Sequence, residues 1–197
     1  MKRSLLFAFG LCLSSILFAA APLKIAKGEY PQFKKGDQAI LEIDLSNTTW
    51  EEKESFGKHF EEYDRLEDML YEVFLTTYNT NSKTLQINGE GNPNYRFVFR
   101  PEEFFCKVDG AFFKKNTRVW GTLSILEEDS RDEICVVQIT GFSSMESDYV
   151  EADSVIKCIS NLARTLTRKK FWNMYQDDIY CDCLITGLRF FPEACFV

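Results

Sequence analysis

The stretch RVWGTLSILEEDSRDEICVVQITGF, from Arg118 to Phe142, constrains the fold of this chain most. In both halves apolar residues alternate with polar ones, the two-residue period of a strand that buries one face. Between the halves lies EEDSRDE, Glu127 to Glu133, too highly charged to be buried. Strands over Arg118 to Leu126 and Ile134 to Phe142 are therefore predicted to pair as an antiparallel hairpin with a solvated tip. The tip is not a calcium loop, since an EF-hand needs a glycine that EEDSRDE lacks, and Arg131 adds a positive charge.

The remaining segments supply a sheet and two helices. In ILEIDLS, Leu41, Ile43 and Leu45 fall on one side and Glu42 and Asp44 on the other, which predicts a strand. YRFVF does the same with Tyr95, Phe97 and Phe99, and Pro101 ends or bends it. EEFFCKVDGAFF can stay extended as far as Gly110, and a short strand fits Leu85 to Asn88 between two turn-rich stretches. The glycines of NGEGNPN read as a polar turn, without the lysine of a phosphate loop. The polar segment from Asn47 to Lys58 could hold a short helix capped by Ser55 or Asn47.

Three- and four-residue spacing predicts an amphipathic helix over 60–77, with Tyr63, Leu66, Met69, Leu70, Val73, Phe74 and Thr77 inward. A second spans 150–168, its stripe formed by Val155, Ile159, Leu162 and Leu166, with Asp148 and Glu151 in capping-box spacing. The fold class is α+β, a mainly antiparallel sheet with two amphipathic helices packed on one face. Residues 22–37 (PLKIAKGEYPQFKKGD) show no clear period and read as a lead-in linker. A single domain follows over 38–170, then a cysteine- and aromatic-rich tail over 171–197, with a strand near Cys183 to Arg189.

Residues 1–21 read as a secretory signal peptide, because Lys2 and Arg3 precede SLLFAFGLCLSSILF and Ala19, Ala20 and Ala21 follow. The apolar run of about 15 residues is short of the roughly 20 that a spanning helix needs. The mature chain is expected to begin between Ala20 and Lys24, to be periplasmic or secreted, and not to span a membrane. Cys12 lies inside the run after Leu11, so it is not placed as a lipid-attachment residue. About 176 residues remain, the length of one domain. The chain has a formal net charge of -7, which disfavours nucleic acid as a partner.

Candidate chemistry is sparse. His59 is the only histidine and reads as a surface residue. No G-x-S-x-G elbow or S-x-x-K motif is present. Cys135 and Cys158 read as small buried hydrophobes. Cys106, Cys181, Cys183 and Cys195 are the candidates for disulfides or redox work, and the C-x-C at Cys181 and Cys183 could instead serve an enzyme with thiol or metal chemistry. Asp178 and Asp182 would raise a nearby thiol pKa, against a reactive role. No metal site and no cofactor are expected. Trp120 alternates with Val119 and Leu123, so it is expected on the sheet face that the helices leave open, as a binding residue for another envelope protein.

The order of ILEIDLS, a helix, YRFVF, the hairpin with WGTLSI and VVQITGF, and a helix with NLARTL resembles small exported proteins of Gram-negative bacteria, most of them uncharacterised. The layout is similar to the amino-terminal domain of TolB and to periplasmic domains of curli-secretion and penicillin-binding-protein-activator lipoproteins. The resemblance covers roughly residues 38 to 170. It implies an exported, non-enzymatic binding or accessory protein.

Overall fold

The computed structural model describes residues 22–63, 65–87, 92–109, 114–143 and 148–168. The leader and the tail beyond Arg168, with Cys181, Cys183 and Cys195, lie outside the described residues. The strands are β1 (Leu23–Gly28), β2 (Gln38–Ile43), β3 (Thr49–Trp50), β4 (Glu54–Ser55), β5 (Gln86–Ile87), β6 (Tyr95–Asp109), β7 (Lys114–Glu127) and β8 (Glu133–Ser143). They form one sheet in the order β1-β8-β7-β6-β2-β5, with β3 and β4 joined to it through β6. The helices are α1 (Phe56–His59), α2 (Leu66–Asn81) and α3 (Glu151–Leu166).

The alternation that predicts the hairpin is what builds it. Leu123 faces Val137 and Ile125 faces Cys135 across β7 and β8, all fully buried, while the tip from Asp129 to Glu133 is exposed. The sheet is mainly antiparallel, as expected, though not wholly so. β1, β8, β7 and β6 run antiparallel in turn, but β2 and β3 lie parallel to β6, and β5 parallel to β2. The physical reason is that α2 lies between β2 and β6 in the chain, and a crossover through a helix returns the next strand in the same direction.

Residues 23–28 are not a linker. β1 pairs along β8 from Leu23 opposite Ile139 to Gly28 opposite Cys135, and Leu23 is fully buried. Lys24, Lys27 and a bulge between Ile25 and Lys27 break the two-residue period that would have marked the strand. Pro101 bends β6 rather than ending it, with a register shift between Pro101 and Glu103. Gly121 accommodates that bend. Its φ is +151°, and a Cβ there would sit 2.3 Å from the Arg100 carbonyl oxygen.

Both long helices pack on one face of the sheet, α3 over β7 and β8 and α2 over β2 and β5. They touch each other, and Thr77 Oγ1 lies 3.1 Å from Ser160 Oγ. α3 buries the expected stripe of Val155, Ile159, Leu162 and Leu166. α2 begins at Leu66 rather than near 60, and its buried edge is Leu66, Leu70, Phe74 and Tyr78, four residues apart. Met69 and Tyr63, expected inside, are 43% and 48% exposed. The anticipated capping box is also corrected. Val150 holds the N-cap position of α3, and Asp148 instead accepts a hydrogen bond from the Tyr149 N–H and pairs with Lys157.

Cys135 and Cys158 are buried, as their positions in a strand and a helix stripe predict. Burial pushes the Cys135 thiol up to about 12, so it stays protonated. No helix among the described residues is long and apolar enough to cross a membrane.

Candidate functional site

The sheet face opposite the helices divides into a polar half and an apolar half. On the polar half Arg96 donates to both oxygens of Glu128, at 3.0 and 2.8 Å, and reaches Glu42 at 3.4 Å. The hydrogen bond to Glu128 holds the Arg96 guanidinium above its ordinary pKa and that carboxyl below the usual range. Arg100 lies 3.8 Å from Asp44 in the same row. These charges face one another, so this half is internally satisfied.

The apolar half is centred on Trp120. Its neighbours in β7, Val119 and Gly121, are buried toward the helices, while Trp120 is half-buried on the open side. A bulge in β8 brings Gly141 beneath the indole with φ +66°. A Cβ at Gly141 would lie 2.9 Å from Trp120 Cζ2, so the ring rests where only glycine leaves room. Glu103 stands opposite Trp120 on β6, and Phe105 stands opposite Arg118. Phe105 is thus the diagonal neighbour of Trp120, and it is 41% exposed. Arg118, Lys107 and Thr140 border the pair and are exposed. The arrangement sets Trp120 and Phe105 on the open face among Arg118, Lys107 and Thr140, with Glu103 opposite the indole.

A second cluster lies on the helix side, where the sequence reading placed only a surface histidine. His59 ends α1, with Nδ1 2.9 Å from Glu54 Oε1 and Nε2 3.1 Å from Glu151 Oε2. Its ring stacks on buried Trp50 at 4.6 Å and meets Phe60 edge-on. Lys115 donates to the other oxygen of Glu151 at 2.8 Å. Burial works against ionisation of Glu151, yet the hydrogen bonds from Lys115 and His59 hold its pKa below the ordinary value. Beside this group the Ser154 hydroxyl donates to the Lys115 carbonyl, accepts from the Thr117 N–H and lies 3.0 Å from Thr117 Oγ1. The result clasps β4, α1, β7 and the start of α3 together.

Cys106, a candidate for redox or disulfide work, faces the same side and is 6% exposed as a free thiol. Burial, then the negative charge of Glu151, push its pKa up, so it is a thiol and not a thiolate at neutral pH. The structure does not bring Cys106 and Trp120 together, since they occupy opposite faces. No group of three or more histidine, cysteine or acidic side chains among the described residues could hold a metal.

No family model matches the chain. No curated protein matches it either. The chain is similar to several solved structures. A PelC dodecamer from Paraburkholderia phytofirmans is 12% identical over 75% of this chain and 100% of that chain, with a TM-score of 0.46. Protein XCC0632 from Xanthomonas campestris, of family model DUF330, is 11% identical over 79% of this chain and 96% of that one, with a TM-score of 0.41. A neuraminyllactose-binding hemagglutinin homolog from Helicobacter pylori is 10% identical over 77% and 96%, with a TM-score of 0.37. These are other proteins than the TolB and curli-secretion domains that the element order suggested.

Proposed function

We propose that this chain is an exported, non-enzymatic accessory protein of the cell envelope that binds another envelope protein through the Trp120 and Phe105 platform. The observation that carries the reading is a tryptophan seated on Gly141 and, diagonal to it across β6 and β7, a 41% exposed phenylalanine, on the face that the helices leave uncovered. Exposed aromatics beside arginine are the residues that most often dominate protein contacts. The leader-like residues 1–21 support the compartment.

A photo-crosslinking residue at position 105, with a second variant at exposed Glu67 on α2 as control, tests this in intact cells. A discrete adduct from position 105 that is absent from position 67, and lost when Trp120→Ala is added, is the expected outcome. Equal labelling from both positions, or an adduct indifferent to Trp120, would sink the reading. Phe105→Ser should leave stability within about 0.5 kcal/mol. Trp120→Ala should cost roughly 1 kcal/mol, because the ring packs on Gly141.

A further inference from the structure

Between α1 and α2 the chain turns twice. The Tyr63 N–H donates to the Phe60 carbonyl at 2.8 Å, and the Leu66 N–H donates to the Tyr63 carbonyl at 2.9 Å. These turns hold α1 and the first turn of α2 around a cleft of about 250 Å³. Phe56, Phe60 and Leu66 form its base, and all three are buried. The Phe56 and Phe60 rings lie 4.8 Å apart, and Tyr63 meets Phe60 edge-on at 5.8 Å. Tyr63 lines the cleft too, but it is 48% exposed, so its ring is open to solvent.

The mouth is acidic. Glu61, Glu67 and Asp68 line the same cleft and are exposed. Among the described residues no basic side chain pairs with any of the three, and Arg65 reaches Glu72 instead, at 3.9 Å. Other carboxylates of the surface do have partners, Glu133 in Lys27, Glu128 in Arg96 and Asp148 in Lys157. Glu67 and Asp68 suit the amino end of α2, whose N–H groups favour negative charge. That accounts for neither Glu61 nor the apolar hollow beside it.

We propose that this cleft receives the side chain of a lysine carried by another polypeptide, with its stem on Phe56, Phe60 and Leu66 and its ammonium among Glu61, Glu67 and Asp68. The inference does not rest on the Trp120 site, since Phe56 packs on Phe104, on the face of β6 turned away from Trp120. Size fits. Sites for drug-sized ligands run from about 300 Å³ upward, so this cleft suits one side chain. Charge fits as well. An anion would meet three carboxylates, and a wholly apolar group would leave them without a counter-charge. An ammonium is compact, with three rotatable donors on a four-carbon stem, and can serve carboxylates from two chain segments. A guanidinium is a planar fork that matches one carboxylate at a time. The face of Tyr63 adds attraction for a cation. A polypeptide is a better source than a free amine, because Tyr63 and Met69, 48% and 43% exposed, offer apolar surface for the chain that carries the lysine.

Titration of the full mature chain, read by NMR at the backbone amides, tests the proposal. The probes are a blocked glycine–lysine–glycine peptide, the same peptide acetylated at the lysine Nζ, its arginine counterpart, and n-butylamine. The lysine peptide should shift the amides of Gly57, Glu61 and Glu67 saturably at millimolar concentration. The acetylated peptide, which has lost the charge, should leave them in place. Glu61→Gln combined with Asp68→Asn should weaken binding about tenfold, while unmoved amides at Leu70 and Phe74 report an intact fold. No saturable shift at Gly57, Glu61 and Glu67 overturns the proposal, as does an equal response to the acetylated peptide or indifference to the double variant. Tighter binding of the arginine peptide, or equal binding of n-butylamine, overturns the choice of a polypeptide lysine. Equal shifts at the acidic tip from Glu127 to Glu133 would reduce the effect to general attraction between charges.

Discussion

A histidine whose two ring nitrogens both meet carboxylates is a different object from one that merely faces water. His59 joins Glu54 to Glu151, and Glu151 carries Lys115 on its other oxygen, so three chain segments far apart in sequence meet at one carboxylate. Because the Glu151 pKa is lowered in the folded state, its contribution to stability is complete above the ordinary glutamate value of about 4.3 and is lost as pH falls through the lower folded value. Glu151→Gln is expected to cost about 1 to 2 kcal/mol near neutral pH, discounted for its partial exposure, and to flatten the loss of stability on acidification in that window. Urea unfolding at a series of pH values checks this, and parallel curves for variant and wild type would refute it. None of this was legible beforehand, since Trp50, Glu54 and Glu151 converge on His59 only through the fold. Phe105 was missed for a related reason. Phe104 and Phe105 are adjacent, so one must point inward and the other outward, and the bulge at Pro101 hides which.

At the scale of elements, periodicity was a good guide where one face alone is buried. The hairpin of β7 and β8 and the stripe of α3 lie where the alternation of Leu123, Ile125 and Val137 and the spacing of Val155, Ile159 and Leu162 put them. α2 was read too early and too broadly because Tyr63 and Met69 fall in register with a stripe yet sit at its margin. Leu70→Ala should accordingly destabilise the domain by about 2 to 5 kcal/mol through lost burial and a residual cavity, whereas Met69→Ala should stay near 0.5 kcal/mol. Equal costs in chemical denaturation would mean that the buried edge of α2 has been misassigned. Strand direction was beyond the reach of pattern reading. Alternation in ILEIDLS marks a strand but carries no information on whether its partner runs the same way, and β1 was hidden by its lysines.

For the molecule as a whole, residues from β1, β2, α1, α2, both hairpin strands and α3 belong to a single cluster of buried side chains. One cooperative unfolding transition is therefore expected, with calorimetric and van't Hoff enthalpies in agreement. Two resolved transitions would show that the β2 and β5 end comes apart from the rest. The pairing of β1 with β8 also sets a timetable. Leu23 to Gly28 leave the ribosome before any other described strand, but their partner residues lie at positions 135 to 139. The first strand made is thus among the last to be satisfied, and until then it waits as an open template for any passing chain. Lys24 and Lys27 give that waiting strand a positive charge at two of its six positions. They act as guards against the wrong partner during the interval before the right one exists.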